Sequence, residues 1–137
     1  MSTTSESSGT ILVVDEEPYR LFLVSKEVQK AFPGANVRSV NSSEAALRFL
    51  DEHGQGLAVL VAYEQPFMNG LDLARTLRTR GFAAPIVVTA KETLDLPLEQ
   101  RVVADRWVES SEVGEALAAL RAVINNVDGL LSPLWLA

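Results

Sequence analysis

The sequence predicts an α/β domain, a three-layer doubly wound sandwich in which helices cover both faces of a parallel five-stranded sheet. Three observations carry this. Ile11-Leu12-Val13-Val14, Leu57-Ala58-Val59-Leu60-Val61-Ala62 and Ala84-Pro85-Ile86-Val87-Val88-Thr89-Ala90 are short apolar runs without alternation. Strands buried on both faces of a parallel sheet read this way. Apolar residues at helical spacing separate the runs, and Pro, Gly and Asn mark the junctions. Strand and helix alternating along one chain is the pattern of βαβ units.

Each element follows in order. The first strand, Ile11 to Val14, ends in Asp15-Glu16-Glu17-Pro18. Pro is tolerated in a first helical turn, where acids also meet the positive end of the helix dipole. Leu21, Val24, Val28 and Phe32 then recur at helical spacing until Pro33-Gly34. Asn36 to Val40 is a short second strand. Asn41 and Glu44, three apart, predict a capping box for a helix through Leu47 and Leu50 to His53-Gly54. After the third strand, Leu71 to Arg80 is a helix with Gly81 as its cap. Ala84 to Ala90 is the fourth strand. Pro97 restricts the next helix to about Leu98 to Ala104. Arg106 to Glu109 is a fifth strand, and Glu112 to Val127 a strongly amphipathic last helix.

At 137 residues the chain fits one domain with a proper core. A net charge of −6 without a basic patch argues against direct nucleic-acid binding. The absence of cysteine excludes disulfides, thiol chemistry and cysteine-ligated zinc. No apolar run approaches the ~18 residues of a membrane span. Residues 1–9 are rich in Ser and Thr and lack the regions of a signal peptide. They are expected to be a disordered lead, ahead of a domain over 10–127 and an apolar tail or linker start over 128–137. A cytoplasmic location is expected.

The third strand and its loop, through Pro66, Met68, Asn69 and Gly70, resemble the corresponding stretch of bacterial response-regulator receiver domains. The resemblance extends over about residues 10 to 127. Asp15-Glu16 resemble the family's acidic pair, Thr89-Ala90 its hydroxyl residue and small neighbour, and Trp107 its aromatic switch position. It implies the strand order 2-1-3-4-5. It also implies what is lost: the phosphate-accepting Asp falls at Ala62, and the Lys-Pro pair after the fifth strand at Ser110-Ser111.

Both losses bear on the chemistry. Converging carboxylates recruit a hard cation such as Mg²⁺, the metal clamps phosphoryl oxygens, a carboxylate oxygen attacks in line, and a lysine stabilises the charge. With Ala62 there is neither nucleophile nor that metal ligand, so Asp15 and Glu16 are expected to bind Mg²⁺ weakly if at all. The degenerate pocket is expected to comprise Asp15, Glu16, Ala62, Glu64, Thr89 and Ser110, with the Glu64 carboxylate solvated and no cofactor held.

Val113, Leu117, Leu120, Ile124, Val127, Leu131 and Leu134 alternate spacings of four and three, a heptad seam about three repeats long. The simpler reading is that its first five members pack the last helix on the sheet, and Gly129 and Pro133 oppose a continuous helix. The tail from Leu130 to Ala137 is nonetheless unusually apolar. Leu117, Leu120, Ile124, Leu131, Leu134 and Trp135 are the candidate interface, for a homodimer or a protein partner. The leading expectation is a non-enzymatic pseudo-receiver, a phosphorylation-independent module of two-component (phosphorelay) signalling that acts through protein contact. The alternative is a phosphoryl-accepting receiver disabled by an Asp to Ala change at 62, against which the missing Lys counts. A flavodoxin-like cofactor binder is disfavoured because Asp15-Glu16-Glu17-Pro18 would repel phosphate where a Gly-rich loop is needed.

Overall fold

Three strands are buried on both faces, and the rest of the chain is laid around them. The computed structural model describes residues 9–54 and 56–131, with side chains through residue 125. In chain order the elements are β1 (Thr10–Val14), α1 (Pro18–Ala31), β2 (Asn36–Val40), α2 (Ser43–His53), β3 (Ala58–Ala62), α3 (Gly70–Thr79), β4 (Ile86–Ala90), α4 (Leu98–Arg101), β5 (Arg106–Glu109) and α5 (Val113–Leu131). The sheet is parallel throughout, in the order β2-β1-β3-β4-β5. This is the α/β arrangement expected from the sequence.

The two-residue period of a strand divides the core. Ile11, Val13, Leu60 and Val87 join Val28 of α1 and Leu120 of α5 on one face. Leu12, Val59, Val61 and Val88 join Leu47 of α2 and Leu73 of α3 on the other. Edge strands β2 and β5 are half-buried or exposed.

Several boundaries differ from expectation. Ser42, not Asn41, caps α2, because its extended backbone lets Oγ accept the Ala45 N–H at 3.0 Å. The α4 helix stops at Arg101, three residues early, and it buries none of its own residues against the core. The last helix runs on to Leu131 with Gly129 inside it; a glycine in a helix interior costs only about 1 kcal/mol.

The largest correction concerns the seam. Leu120 and Ile124, expected at an interface, are core residues 0% and 5% exposed, and half-buried Leu117 packs on the same cluster. A four-three stripe serves helix-on-sheet packing as well as it serves a coiled coil. The Leu131 side chain, Leu134, Trp135 and residues 1–8 of the lead lie outside the described residues.

Arg78, near the end of α3, ties the layers together. Its guanidinium donates to the carbonyls of Phe82 and Ala84 at 2.9 Å and of Val103 at 3.3 Å. It also pairs with Asp105 at 2.7 Å, whose carboxylate accepts the Ile86 N–H that opens β4. Charge-assisted hydrogen bonds contribute about 1.5–3 kcal/mol each when buried, and partial exposure reduces this. Arg78→Met should therefore lower unfolding stability by about 2 kcal/mol in urea titrations. A loss within experimental error would show that the network is ornamental.

Candidate functional site

Parallel strands bring their carboxyl ends to one edge, and ligand sites in such sheets lie there. Counting two residues on from core positions puts Asp15 after Val13, Ala62 after Leu60, Thr89 after Val87 and Ser110 after Val108. All four thus come to the side covered by α1 and α5. They line a cavity of about 40 Å³ with Arg20, Glu64, Lys91, Ser111 and Glu112. That is room for roughly one or two waters.

The position beneath the cavity is enforced by its loop. Ala62 pairs with Thr89, and the Tyr63 N–H donates to the Thr89 carbonyl at 2.7 Å. Gly70 opens α3 against this strand end; a Cβ there would lie 2.9 Å from the Ala62 carbonyl oxygen. Asn69 caps the helix, its Oδ1 accepting the Asp72 N–H at 2.9 Å. Between them Phe67 takes a φ of 70°, with the Met68 N–H bonded to the Pro66 carbonyl at 2.7 Å. This tight turn costs about 1–3 kcal/mol of backbone strain. Ser43 holds it from below, its hydroxyl donating to the Met68 carbonyl at 3.0 Å.

Asp15 is 4% exposed. Its Oδ2 accepts Arg20 Nε at 2.7 Å, and its Oδ1 accepts both Arg20 Nη2 at 3.2 Å and the Glu17 N–H at 3.0 Å. Donation to the Asp15 carboxylate holds the Arg20 guanidinium proton more tightly than usual, against the effect of burial; Asp15, Glu17 and Glu64 add charge in the same direction. Glu17 caps α1 by accepting the Arg20 N–H at 2.7 Å.

Two sequence expectations need correcting. Glu16 does not share the pocket: it is exposed and lines a separate groove between α1 and β2, with Phe22 and Asn41. One residue after Asp15, it turns away from the cavity to the other flank of α1. The Glu64 carboxylate is not merely solvated, because it accepts the Lys91 N–H at 2.8 Å and so joins the loops after β3 and β4. Ser110 lies at the expected place, where its Oγ accepts the Glu112 N–H at 3.0 Å. Arg20 and Lys91 were missed. The available signal was spacing: Arg20 precedes Val24 and Val28 by four and eight residues on the buried stripe of α1, and Lys91 follows Thr89 by two.

A Mg²⁺ ion asks for a near-octahedral set of oxygens, and these residues do not fit it. Asp15 is engaged by Arg20, Glu16 faces elsewhere, and position 62 offers a methyl group. Among the described residues no group of three or more His, Asp or Glu side chains comes together that could hold a metal. No described helix is long and apolar enough to cross a membrane.

Trp107 is half-buried and held from three sides. Its Nε1 donates to Glu109 Oε2 at 2.9 Å, its ring meets Tyr63 edge-on at 5.6 Å, and the Arg101 guanidinium lies 5.8 Å from its centroid. The same Glu109 oxygen accepts the Leu94 N–H at 3.4 Å and faces Arg101 at 3.6 Å.

No protein-family model and no curated protein matches the chain. Solved structures do. A Francisella response regulator receiver domain is 15% identical with a TM-score of 0.73, covering 88% of this chain and 99% of its own. A receiver domain protein from Clostridium thermocellum is 21% identical with a TM-score of 0.73, over 89% and 98%. Response regulator protein TrrA from Thermotoga maritima, solved in complex with Mg²⁺-BeF, is 27% identical with a TM-score of 0.67, over 81% and 97%. The fold is that of receiver domains.

The Trp107 hydrogen bond, with help from the Leu94 N–H and Arg101, holds the Glu109 carboxyl below its ordinary value of 4.5. Folded more acidic than unfolded, it supports the fold fully above that value and loses its effect as the pH falls through its lower folded value. In a Trp135→Phe background, Trp107 fluorescence should therefore change as the pH falls below 4.5 and through the lower folded value. Glu109→Gln should flatten that transition, and an unaltered transition would contradict the assignment.

Proposed function

We propose that the chain is a receiver-like signalling module of two-component type that works without phosphoryl transfer, through contact with a protein partner or a second copy of itself. One observation carries this: Ala62 stands at the carboxyl end of β3, beneath the cavity, where a receiver needs a carboxylate nucleophile. Ser110, in place of a fixed cation beside it, supports the reading. So does the engagement of Asp15 by Arg20. The chain has no enzymatic activity of its own in this reading. Against a receiver disabled at 62 alone stands the second departure at 110, which one substitution would not produce.

Acyl-phosphate donors with Mg²⁺ should leave the intact mass unchanged. An acid-labile gain of one phosphate would refute the reading and favour an acceptor other than residue 62.

The proposed contact surface is the far end of α5 with the tail. Ile124 is buried in the domain, and the helix continues seven residues to Leu131, about 10 Å further. The sequence Leu130-Leu131-Ser132-Pro133-Leu134-Trp135-Leu136-Ala137 supplies apolar groups for a partner. Each buried Leu contributes about 1.5–3 kcal/mol, enough in a small cluster to hold a micromolar dimer after association costs. Leu131→Glu with Leu134→Glu should lower the sedimentation mass and leave far-ultraviolet circular dichroism unaltered. A monomer across micromolar concentrations of the unmodified protein would rule out self-association.

A further inference from the structure

We propose that the Arg20 guanidinium is the resident cation of this pocket, occupying the place that a divalent ion would need and making the site a metal-independent ion pair. The inference deepens the reading of a pocket without an acceptor, and its test can fail separately from that reading. Its basis is the use already made of Asp15. Both carboxylate oxygens receive the guanidinium, at 2.7 and 3.2 Å, and one also receives the Glu17 N–H. The side chain is 24% exposed and its partner 6%, so the pair is largely withdrawn from water.

The guanidinium also reaches the field of Glu64 across the cavity, and Glu64 helps to hold its proton. The charge therefore stands between the end of β1 and the loop after β3, the two strands from which a metal would draw carboxylates. Its planar fork binds a carboxylate through two directed bonds. A metal ion would have to break both and then remain beside a like charge. The sequence supports the placement: Arg20 lies one turn before Val24 on the stripe that packs on the sheet, so the backbone of α1 delivers it to the cavity.

A consequence separates this from a simple anchoring role for the pair. Restoring a carboxylate at position 62 should not by itself create a metal site, because Arg20 would pair with the new charge as well. Two changes are needed, the carboxylate gained and the guanidinium removed.

Thermal melts and calorimetric titration of the full chain with MgCl₂ test this, using the unmodified protein, Ala62→Asp, and Ala62→Asp combined with Arg20→Gln. The unmodified protein should melt alike in millimolar MgCl₂ and in chelator. The double variant should gain thermal stability with Mg²⁺ and bind it at least about tenfold more tightly than Ala62→Asp alone. Should Arg20→Gln fail to fold, Arg20→Lys serves in its place, since a flexible ammonium is a poorer bidentate partner; the same order of affinities is expected. Ala62→Asp binding Mg²⁺ as tightly as the double variant would overturn the proposal and leave the pair as an anchor of α1 only. A Mg²⁺-dependent rise in the melting temperature of the unmodified protein would overturn it as well. Neither result depends on phosphorylation, which the mass measurement examines by itself.

Discussion

The parallel packing of β1, β3 and β4 is the constraint from which the other features follow. All five residues of β1 and of β3 are buried, and four of the five in β4. Apolar burial at about 25 cal/mol per Å² is the main favourable term such strands supply. Because the strands run the same way, their ends cannot be joined by hairpins, and helices must return the chain across both faces. Five carboxyl ends therefore collect at one edge, and the polar residues that follow the apolar runs collect with them. The pocket is a by-product of this geometry.

Within that edge, two side-chain assemblies hold the loops in place. On the α1 side, Asp15 takes the guanidinium of Arg20 and the N–H of Glu17, joining the end of β1 to the first turn of the helix. On the β5 side, Glu109 takes the indole of Trp107 and the N–H of Leu94, joining the loop after β4 to the edge strand. Glu64 accepts the Lys91 N–H and joins the loops after β3 and β4. A switch needs an element with two arrangements of similar free energy and a ligand that favours one. Here Asp15 and Trp107 already have partners within the domain.

The loop from Tyr63 to Gly70 shows how closely the scaffold dictates local sequence. The approach of α3 to the Ala62 carbonyl leaves no space for a Cβ at Gly70. The Gln65 amide donates to that same carbonyl at 2.7 Å, and Phe67, 97% exposed, carries the turn in the left-handed region. These are requirements of the close approach between α3 and the end of β3.

Much of this was legible in the sequence. Unbroken apolar runs identify buried strands, helical spacing identifies the faces of α1, α2 and α3, and the resemblance to receiver domains implies that Asp15, Ala62, Thr89 and Ser110 come together. Periodicity records which face of an element avoids water. It does not record what covers that face, and so Leu120 and Ile124 could be assigned to a coiled-coil seam when the sheet buries them. Nor does it record pairings between side chains. Arg20 reads in sequence as one more surface charge, and Glu16 as the twin of Asp15. Only the tertiary structure turns the first into the pocket and the second out of it, because an ion pair depends on the distance and direction between two elements. The sequence by itself determined the layers and the order of the elements, both set by local chemistry along the chain. The occupancy of the pocket by its own arginine was decided where α1 meets β1 in space.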